Sequence, residues 1–524
     1  MPRFSGATGK LTLANVEKEC HMGQRVALVA DRIGVIDTFS LPIMAATAKR
    51  AGHEVILVDY DRSPRDAVSR IQSFEADILA YSVMSPDANT FLEINQHLKK
   101  ETGAFSIVGG VHPTFFQKYL DKSGIDAICV GEGDAAFPDF LNSFGTDDMY
   151  DTTNMHFNLG NGEFKRNGIT KLVPDLDSLP FPDKEIVYEQ SYFLRNLPIR
   201  SFAASRGCPY KCTYCFNHAF NALYEGKGKV MRFKSIPYFI DEIKRITDKY
   251  PTKFIKFQDD IFGAKRSWLA EFAEVYPREI GLPFLNYCRP NMVNDEYCKN
   301  LKKAGCHAVA IAIEAGNDEI RNKVMLRNMK TEDILSAFET LRRYDIKTYC
   351  LNILGLPGET VDTFMETVHI NQECKVDYGD ASIFQPYPGT DITKYSIEHG
   401  FLEEEQQSWG GQFSPSVLNF PISEKSTGPR SRSQPSHEDY NEKLKSRLHT
   451  IHKVFPLLVE KPWLERWIGE IEAINNTALG SKLLDMFFRF TYGYMLHRRI
   501  YPVRTPLRLT LQAAFTLVFS KNRN

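Results

Sequence analysis

Arg206-Gly-Cys-Pro-Tyr-Lys-Cys-Thr-Tyr-Cys-Phe-Asn-His218 is the stretch on which the fold and the chemistry of this chain turn. Cys208, Cys212 and Cys215 stand at C-x3-C-x2-C. They follow an apolar run that reads as the first strand of a βα series, so they occupy a loop beyond a strand's carboxyl end, where such folds place their reactive groups. Three thiolates at this spacing can close on one face of an iron–sulfur cubane and leave its fourth iron without a protein ligand. His218 keeps a second reading open, a Cys3His structural zinc set. A third is three unrelated buried cysteines. Cys20, Cys129, Cys288, Cys298, Cys306, Cys350 and Cys374 show no second cluster spacing and are expected in core positions, as free cysteines usually are.

Around this loop the pattern alternates short apolar runs with helical ones. From about residue 199 to 400 the candidate strands are 202–205, 254–257, 284–288, 308–313, 347–353 and 381–385, too many for a closed five-stranded sheet and too few for eight, which predicts a partial (β/α)6 barrel over 196–401. Upstream, runs at 25–30, 54–58, 77–81, 105–108 and 127–130 predict buried parallel strands of a doubly wound α/β domain over 25–148. Residues 149–195, rich in Asp, Asn, Gly and Pro, read as a hairpin and connector. The remaining parts are an N-terminal extension (1–24), a Ser/Pro/Gly/Glu-rich loop (402–438) and a mainly helical C-terminal region (439–524).

The chain has 524 residues, 43% of them hydrophobic and 25% charged, with a formal net charge of −1. That balance supplies several cores and argues against nucleic-acid binding through a basic surface. No run reaches the roughly 20 apolar residues of a membrane span. Residues 1–24 are polar, so no secretory signal is read. Scattered cysteines fit a reducing cytoplasm.

With Tyr214 directly before the last cysteine, the cysteine loop resembles the signature of the radical SAM superfamily. The resemblance implies a [4Fe-4S] cluster on Cys208, Cys212 and Cys215, whose free iron binds the amino and carboxylate groups of S-adenosylmethionine (SAM), and reductive cleavage of SAM to a 5′-deoxyadenosyl radical. It puts Tyr214 beside the adenine. Further stretches agree in order. Phe257-Gln-Asp-Asp-Ile-Phe262 resembles the second-strand element that contacts the SAM amino group, with Asp259 and Asp260 as candidates, although paired Asp also suits a strand-end turn. Arg289 ends the third strand. Ile313-Glu-Ala-Gly316 resembles the fourth-strand element, with Glu314 a polar contact to SAM and Gly316 beside it. Ile353-Leu-Gly-Leu-Pro-Gly-Glu-Thr360 resembles the element that passes the adenine, with Gly355 and Gly358 allowing close backbone approach; Glu359 or Thr360 can instead cap the next helix. Gln385-Pro-Tyr-Pro-Gly-Thr390 resembles the closing motif. The resemblance covers about residues 200–401.

In open α/β sheets ligands bind beyond the carboxyl ends of the strands. In the first domain those loops carry Asp31, then Ser82 and Ser85, then Gly109, Gly110 and His112, then Gly131 and Gly133. Small residues there would let a flat ligand lie against backbone; ordinary tight βα turns use the same residues. Ahead of a radical SAM barrel, the arrangement resembles the cobalamin-binding radical SAM family, which includes many methyltransferases and the oxygen-independent magnesium-protoporphyrin ester cyclase. Cobalamin domains often carry Asp-x-His-x-x-Gly after the first strand. Here Ile33 holds the histidine position, so no lower cobalt ligand is expected from that loop, and His112 reads as a cofactor-edge or turn residue.

The resemblance implies a cobalamin-dependent methyltransferase acting on an unactivated carbon of a small-molecule or lipid-like substrate, with an electron donor such as flavodoxin or ferredoxin. Two other readings stand beside it: a cyclase or other non-methylating radical reaction with the same cofactors, and a zinc-stapled binding protein. At 505–519, Leu507, Leu511, Phe515 and Val518 share one helical face amid arginines. Such a helix either packs on the barrel or contacts anionic lipid peripherally.

Overall fold

The computed structural model describes residues 23–34, 37–404, 406, 408–420, 437–506, 508–510 and 512. The extension 1–22 and most of 505–519 lie outside them. Two compact units form, one from residues up to 173 with 178–194 and 226–228, the other from 174–177, 195–225 and 229 onward.

The first unit is built on seven strands: β1 (Arg25–Ala30), β2 (Glu54–Asp59), β3 (Ile78–Ser82), β4 (Phe105–Gly109), β5 (Ala127–Cys129), β6 (Met155–Gly160) and β7 (Glu163–Arg166). Val26, Ala27, Leu28 and Val29 are at most 1% exposed. A strand apolar on both faces must lie between two helical layers, which is why this segment is a central strand. The sheet order is β2-β1-β3-β4-β5-β6-β7. The first five strands are parallel. The order reverses between β1 and β3, the crevice where open α/β sheets take ligands. The hairpin read in the connector forms as β6–β7 and pairs antiparallel with β5, extending the sheet.

In the second unit six parallel strands run in order β15-β14-β13-β12-β11-β8. They are β8 (Ile199–Phe202), β11 (Phe254–Phe257), β12 (Phe284–Cys288), β13 (Cys306–Glu314), β14 (Lys347–Leu354) and β15 (Tyr378–Ile383); β9 (Ser205–Arg206) and β10 (Arg232–Phe233) make a small antiparallel pair. This is the expected partial barrel, with two corrections. The first strand lies at 199–202 rather than 202–205, because Asp259 pulls Ala204 and Ser205 away from the sheet. The last begins three residues earlier than expected and ends before Gln385-Pro386, since proline cannot donate to the ladder.

One face of this sheet packs on its crossover helices, where Phe239, Phe257, Phe272 and Phe284 are fully buried. Register places Phe254, Leu285, Tyr287, Ala308, Ala310, Ala312, Tyr349, Leu351, Tyr378 and Asp380 on the other. Ile500 and Val503, at the end of the helix Ala478–Ile500, join Phe254, Leu285, Ala308, Tyr349 and Tyr378 in one cluster. The helix His437–Glu460 adds Leu444, Leu448, Ile451 and Phe455 to a second cluster with Leu354, Leu356 and Ile383. The helical C-terminal region is therefore part of the barrel core. Every cysteine outside the 208–215 loop that is described is buried; Cys20 lies outside the described residues.

Candidate active site

The cysteine loop is held from three sides. Below it, buried Asp259 accepts from Ala204 N (3.1 Å) and from Ser205 Oγ (2.5 Å). Beside it, Thr213 donates from N to Met325 O (3.2 Å) and from Oγ1 to Val324 O (2.7 Å). Above it, Asn221 Nδ2 donates to Cys208 O (2.8 Å), and Cys215 N-caps the helix Phe216–Leu223. Cys212 is 6% exposed and Cys208 and Cys215 are half-buried. Burial pushes the Cys208 thiol up to about 11 and the Cys215 thiol up to about 12. Both are neutral thiols in the metal-free loop and would release protons on binding iron.

Arg289 supplies the charge. Its Nη1 donates to Cys212 Sγ at 3.0 Å, its Nη2 to Arg327 O at 2.8 Å, and its guanidinium lies 3.7 Å from the centre of the Tyr210 ring. Its Nε is buried with no hydrogen-bond partner among the described residues. A guanidinium aimed at a cysteine sulfur, with one donor left over, suits a negatively charged cluster and an anionic ligand beside it. The donor set fits a single zinc ion poorly. Among the described residues no three His, Cys, Asp or Glu side chains converge at the spacing one ion needs; His218 Nε2 is held by Asp391 at 3.0 Å, and its Nδ1 is buried with no hydrogen-bond partner among the described residues.

Along the strand ends a second polar network stands next to the loop. Tyr214 OH donates to Glu314 Oε1 (2.8 Å) and accepts from Arg327 Nη1 (2.6 Å); Arg327 lies 3.5 Å from Glu314 and donates from Nη2 to Ala312 O (2.5 Å). Glu314 has φ +71°, where the β13–β14 register shifts. A non-glycine residue in the left-handed region at a strand end stores strain, and such strain gathers where a side chain must be aimed.

The sequence-selected residues divide accordingly. Cys208, Cys212, Cys215, Tyr214, Arg289 and Glu314 come together. Asp260 stands open at the loop, hydrogen-bonded to the Asn217 side chain and the Gly207 backbone. Asp259 is occupied as a strap, its carboxyl raised to about 6 by burial. Gly316 is packed so tightly on the helix Val361–Glu373 that a Cβ would meet Glu366 O at 2.3 Å. Gly355 and Gly358 face Leu448, Ile320 and Phe401. Gln385 Nε2 donates to Ser414 O and Pro415 O. Thr360 caps the helix Val361–Glu373 in a capping box with Thr363, while Glu359 is buried, accepts from Leu356 N (2.8 Å) and is raised to about 8 by desolvation.

Arg327 and Asp380 carry no motif that singles them out in the sequence. Asp380 lies on the inner face of the sheet, where Leu351 pairs with both Ala312 and Asp380. It accepts from Tyr349 OH (2.7 Å), is hydrogen-bonded to the Tyr492 side chain, and is lifted to about 7 by burial. A lone acid in an apolar strand was the available signal. Because the folded carboxyl holds a proton from pH 3.8 to about 7 that the unfolded chain has released, stability falls as pH rises through that window. Asp380→Asn should flatten this decline, whose slope from one such carboxyl is at most about 1.4 kcal/mol per pH unit; urea midpoints at pH 5 and pH 8 measure it, and an unchanged slope would show that the carboxyl is not perturbed.

In the first unit, the small residues gather at the carboxyl edge. Ser82, Gly109 and Gly131 border it, and Met84 on the same loop is 60% exposed, an apolar side chain standing on an edge otherwise made of small groups. Such an edge fits a flat macrocycle. Gly110, at φ +105°, approaches Val83 so closely that a Cβ would meet Val83 O at 2.6 Å. Asp31 lies beyond β1, and Gly133 packs against Met44 and Cys129. His112 is 1% exposed, hydrogen-bonded to Ser85 (3.1 Å), in contact with the Phe116 and Tyr119 rings, and lowered to about 4 by burial. It is a neutral packing residue. Ile33 N donates to Asp59 Oδ2 (3.3 Å).

The family model of the radical SAM superfamily matches residues 203–370, and that of the B12 binding domain matches residues 25–141. An uncharacterized methyltransferase of Pyrococcus horikoshii is 24% identical over 367 residues, covering 68% of this chain and 78% of that one. Hopanoid C-3 methylase of Methylococcus capsulatus is 27% identical over 373 residues, 68% of each chain. The solved structure of the cobalamin-dependent S-adenosylmethionine radical enzyme OxsB with aqua-cobalamin bound superposes with a TM-score of 0.62 at 15% identity, over 95% of this chain and 84% of that one. That likeness is one of fold.

Proposed function

Because the chain belongs to the radical SAM enzymes that carry a B12 binding domain, we propose that it methylates an unactivated carbon of a small-molecule or lipid-like substrate. The observation that carries the reading is the joining, in one chain, of a B12 binding domain to a cysteine loop backed by Arg289. When bound, the [4Fe-4S] cluster, SAM and cobalamin supply a 5′-deoxyadenosyl radical and a transferable methyl group. The protein's part is to hold and orient. Cys208, Cys212 and Cys215 carry the cluster, and Arg289 offsets its negative charge. Asp260 and the Tyr214–Glu314–Arg327 network offer the polar edge for SAM. Asp31, Ser82, Ser85, Gly109 and Gly131 border the corrin, with Ile33 in place of a histidine ligand. Cleavage of SAM consumes an electron, which a cytoplasmic flavodoxin or ferredoxin would deliver. A lipid-like substrate draws support from the hopanoid methylase relative.

The test uses enzyme prepared without oxygen, reconstituted with iron, sulfide and hydroxocobalamin, and given methyl-deuterated SAM, a strong reductant and extract of a strain lacking the gene. Methyl transfer leaves two SAM products, 5′-deoxyadenosine and S-adenosylhomocysteine, and a deuterated metabolite absent from the strain. A cyclase would form 5′-deoxyadenosine with no S-adenosylhomocysteine, and that result would overturn the methylation reading.

A further inference from the structure

The helix Ala478–Ile500 has two apolar faces, and only one is covered. Phe488 and Ile500 are buried, and Tyr492, Met495 and Leu496 pack against the barrel cluster. On the opposite side Leu479 is 71% exposed, Leu483 51%, Met486 50%, Phe487 43%, Phe490 58% and Tyr494 51%. Their spacing (i, i+4, i+7, i+8, i+11, i+15) draws one stripe along the helix, about 22 Å long at 1.5 Å per residue. Each such side chain is worth roughly 1.5–3 kcal/mol when removed from water, so a stripe of this length is a surface that something covers.

Its charges indicate what. Lys482 and Arg498 are exposed beside the stripe; Arg498 donates to Tyr494 OH at 3.0 Å, and Tyr494 stacks on Phe490 with ring centres 5.8 Å apart. The helix's one acid, Asp485, is engaged by Lys453 at 2.8 Å. From residue 486 to the end the sequence holds seven Lys and Arg and no Asp or Glu. In the same C-terminal region Trp463 is 56% exposed, Trp467 45%, and Arg466 lies over both rings. Apolar and aromatic side chains flanked by cations are the composition of a helix that lies in a membrane interface. A second copy of the chain would bring like charges together on this face, whereas an anionic surface would neutralise them. No described helix is long and apolar enough to cross a membrane.

We propose that the helix Ala478–Ile500 docks the enzyme on anionic phospholipid, with the stripe from Leu479 to Tyr494 among the acyl chains at headgroup depth and Lys482 and Arg498 on phosphates. The inference is independent of the cofactor chemistry.

The full-length holoenzyme is sedimented with phosphatidylcholine vesicles with and without phosphatidylglycerol, at low and high salt. Binding should require phosphatidylglycerol and weaken with salt. Leu483→Ser with Phe490→Ser should lower it by at least about tenfold, since two inserted side chains are lost, while 5′-deoxyadenosine formation stays unchanged and the thermal midpoint moves little, because both side chains are more than half exposed and neither belongs to the barrel clusters. Phe490→Trp should retain binding. Absence of the full chain from the phosphatidylglycerol pellet would overturn the proposal, as would binding that survives the double serine substitution. A dimer that the same substitutions dissociate would overturn it too, by assigning the stripe to a second copy.

Discussion

Alanine at Cys208, Cys212 or Cys215 is expected to abolish SAM cleavage outright and to strip the protein of its iron. Two thiolates cannot hold a cubane against exchange, and no fourth cysteine stands in the loop to replace the third. The loss should be one of cluster, not of fold. The loop's anchors are the backbone and side chain of Thr213, the Asp259 strap and Asn221, none of which uses a cysteine sulfur. Iron content, the broad absorption near 400 nm of an iron–sulfur centre and 5′-deoxyadenosine yield should fall together, with the far-ultraviolet circular dichroism unchanged. His218→Ala is the control and should keep its iron. If it lost metal as completely as the cysteine variants, His218 would be a ligand and the iron–sulfur assignment would fail.

Much of this arrangement is legible in the sequence, for identifiable reasons. Strands β11 and β12 fall at 254–257 and 284–288, as their apolar runs predict, because each is a short run between turn or charged residues. The cysteine loop is legible because metal ligation demands a fixed local spacing. The first strand is misplaced by its pattern because residues 199–206 (Ile-Arg-Ser-Phe-Ala-Ala-Ser-Arg) interrupt their apolar side chains with Arg and Ser and mark no clear start; what sets the end is Asp259, more than fifty residues away, gripping Ala204 and Ser205. Reading the last strand three residues late puts Asp380 in the preceding turn and hides it, although Tyr378 and Asp380 alternate onto one face. The close approach expected at Gly355 is made by Leu448 of this chain, and Gly316, for which none was expected, packs on Glu366. Arg327 carries no signal. Its position depends on left-handed backbone at Leu326 and Asn328, both near φ +51°, which no local pattern announces.

Arg327→Met is expected to cost roughly 3–5 kcal/mol of stability, the usual consequence of removing one partner from a buried ion pair, and to lower SAM cleavage by about a hundredfold, the typical loss when a preorganised polar contact at a reaction centre is removed. Arg327 is 3% exposed and is the only described cation within ion-pair distance of Glu314. Without it, Glu314 keeps its strained φ and its bond from Tyr214 but faces the barrel interior with an uncompensated charge. Arg327 also ties the two halves of the site together: its side chain orders Tyr214 and Glu314, and its carbonyl accepts from the Arg289 that reaches Cys212. The substitution keeps the carbonyl, so iron should stay bound while the KM for SAM rises. Glu314→Gln removes the charge that Arg327 balances. The double variant should therefore recover much of the stability lost in Arg327→Met, giving a coupling of about 1–3 kcal/mol in a double-mutant cycle. Strict additivity would show that Arg327 and Glu314 do not act as a pair. Loss of iron from Arg327→Met would show instead that the residue builds the cysteine loop and has no separate part in holding SAM.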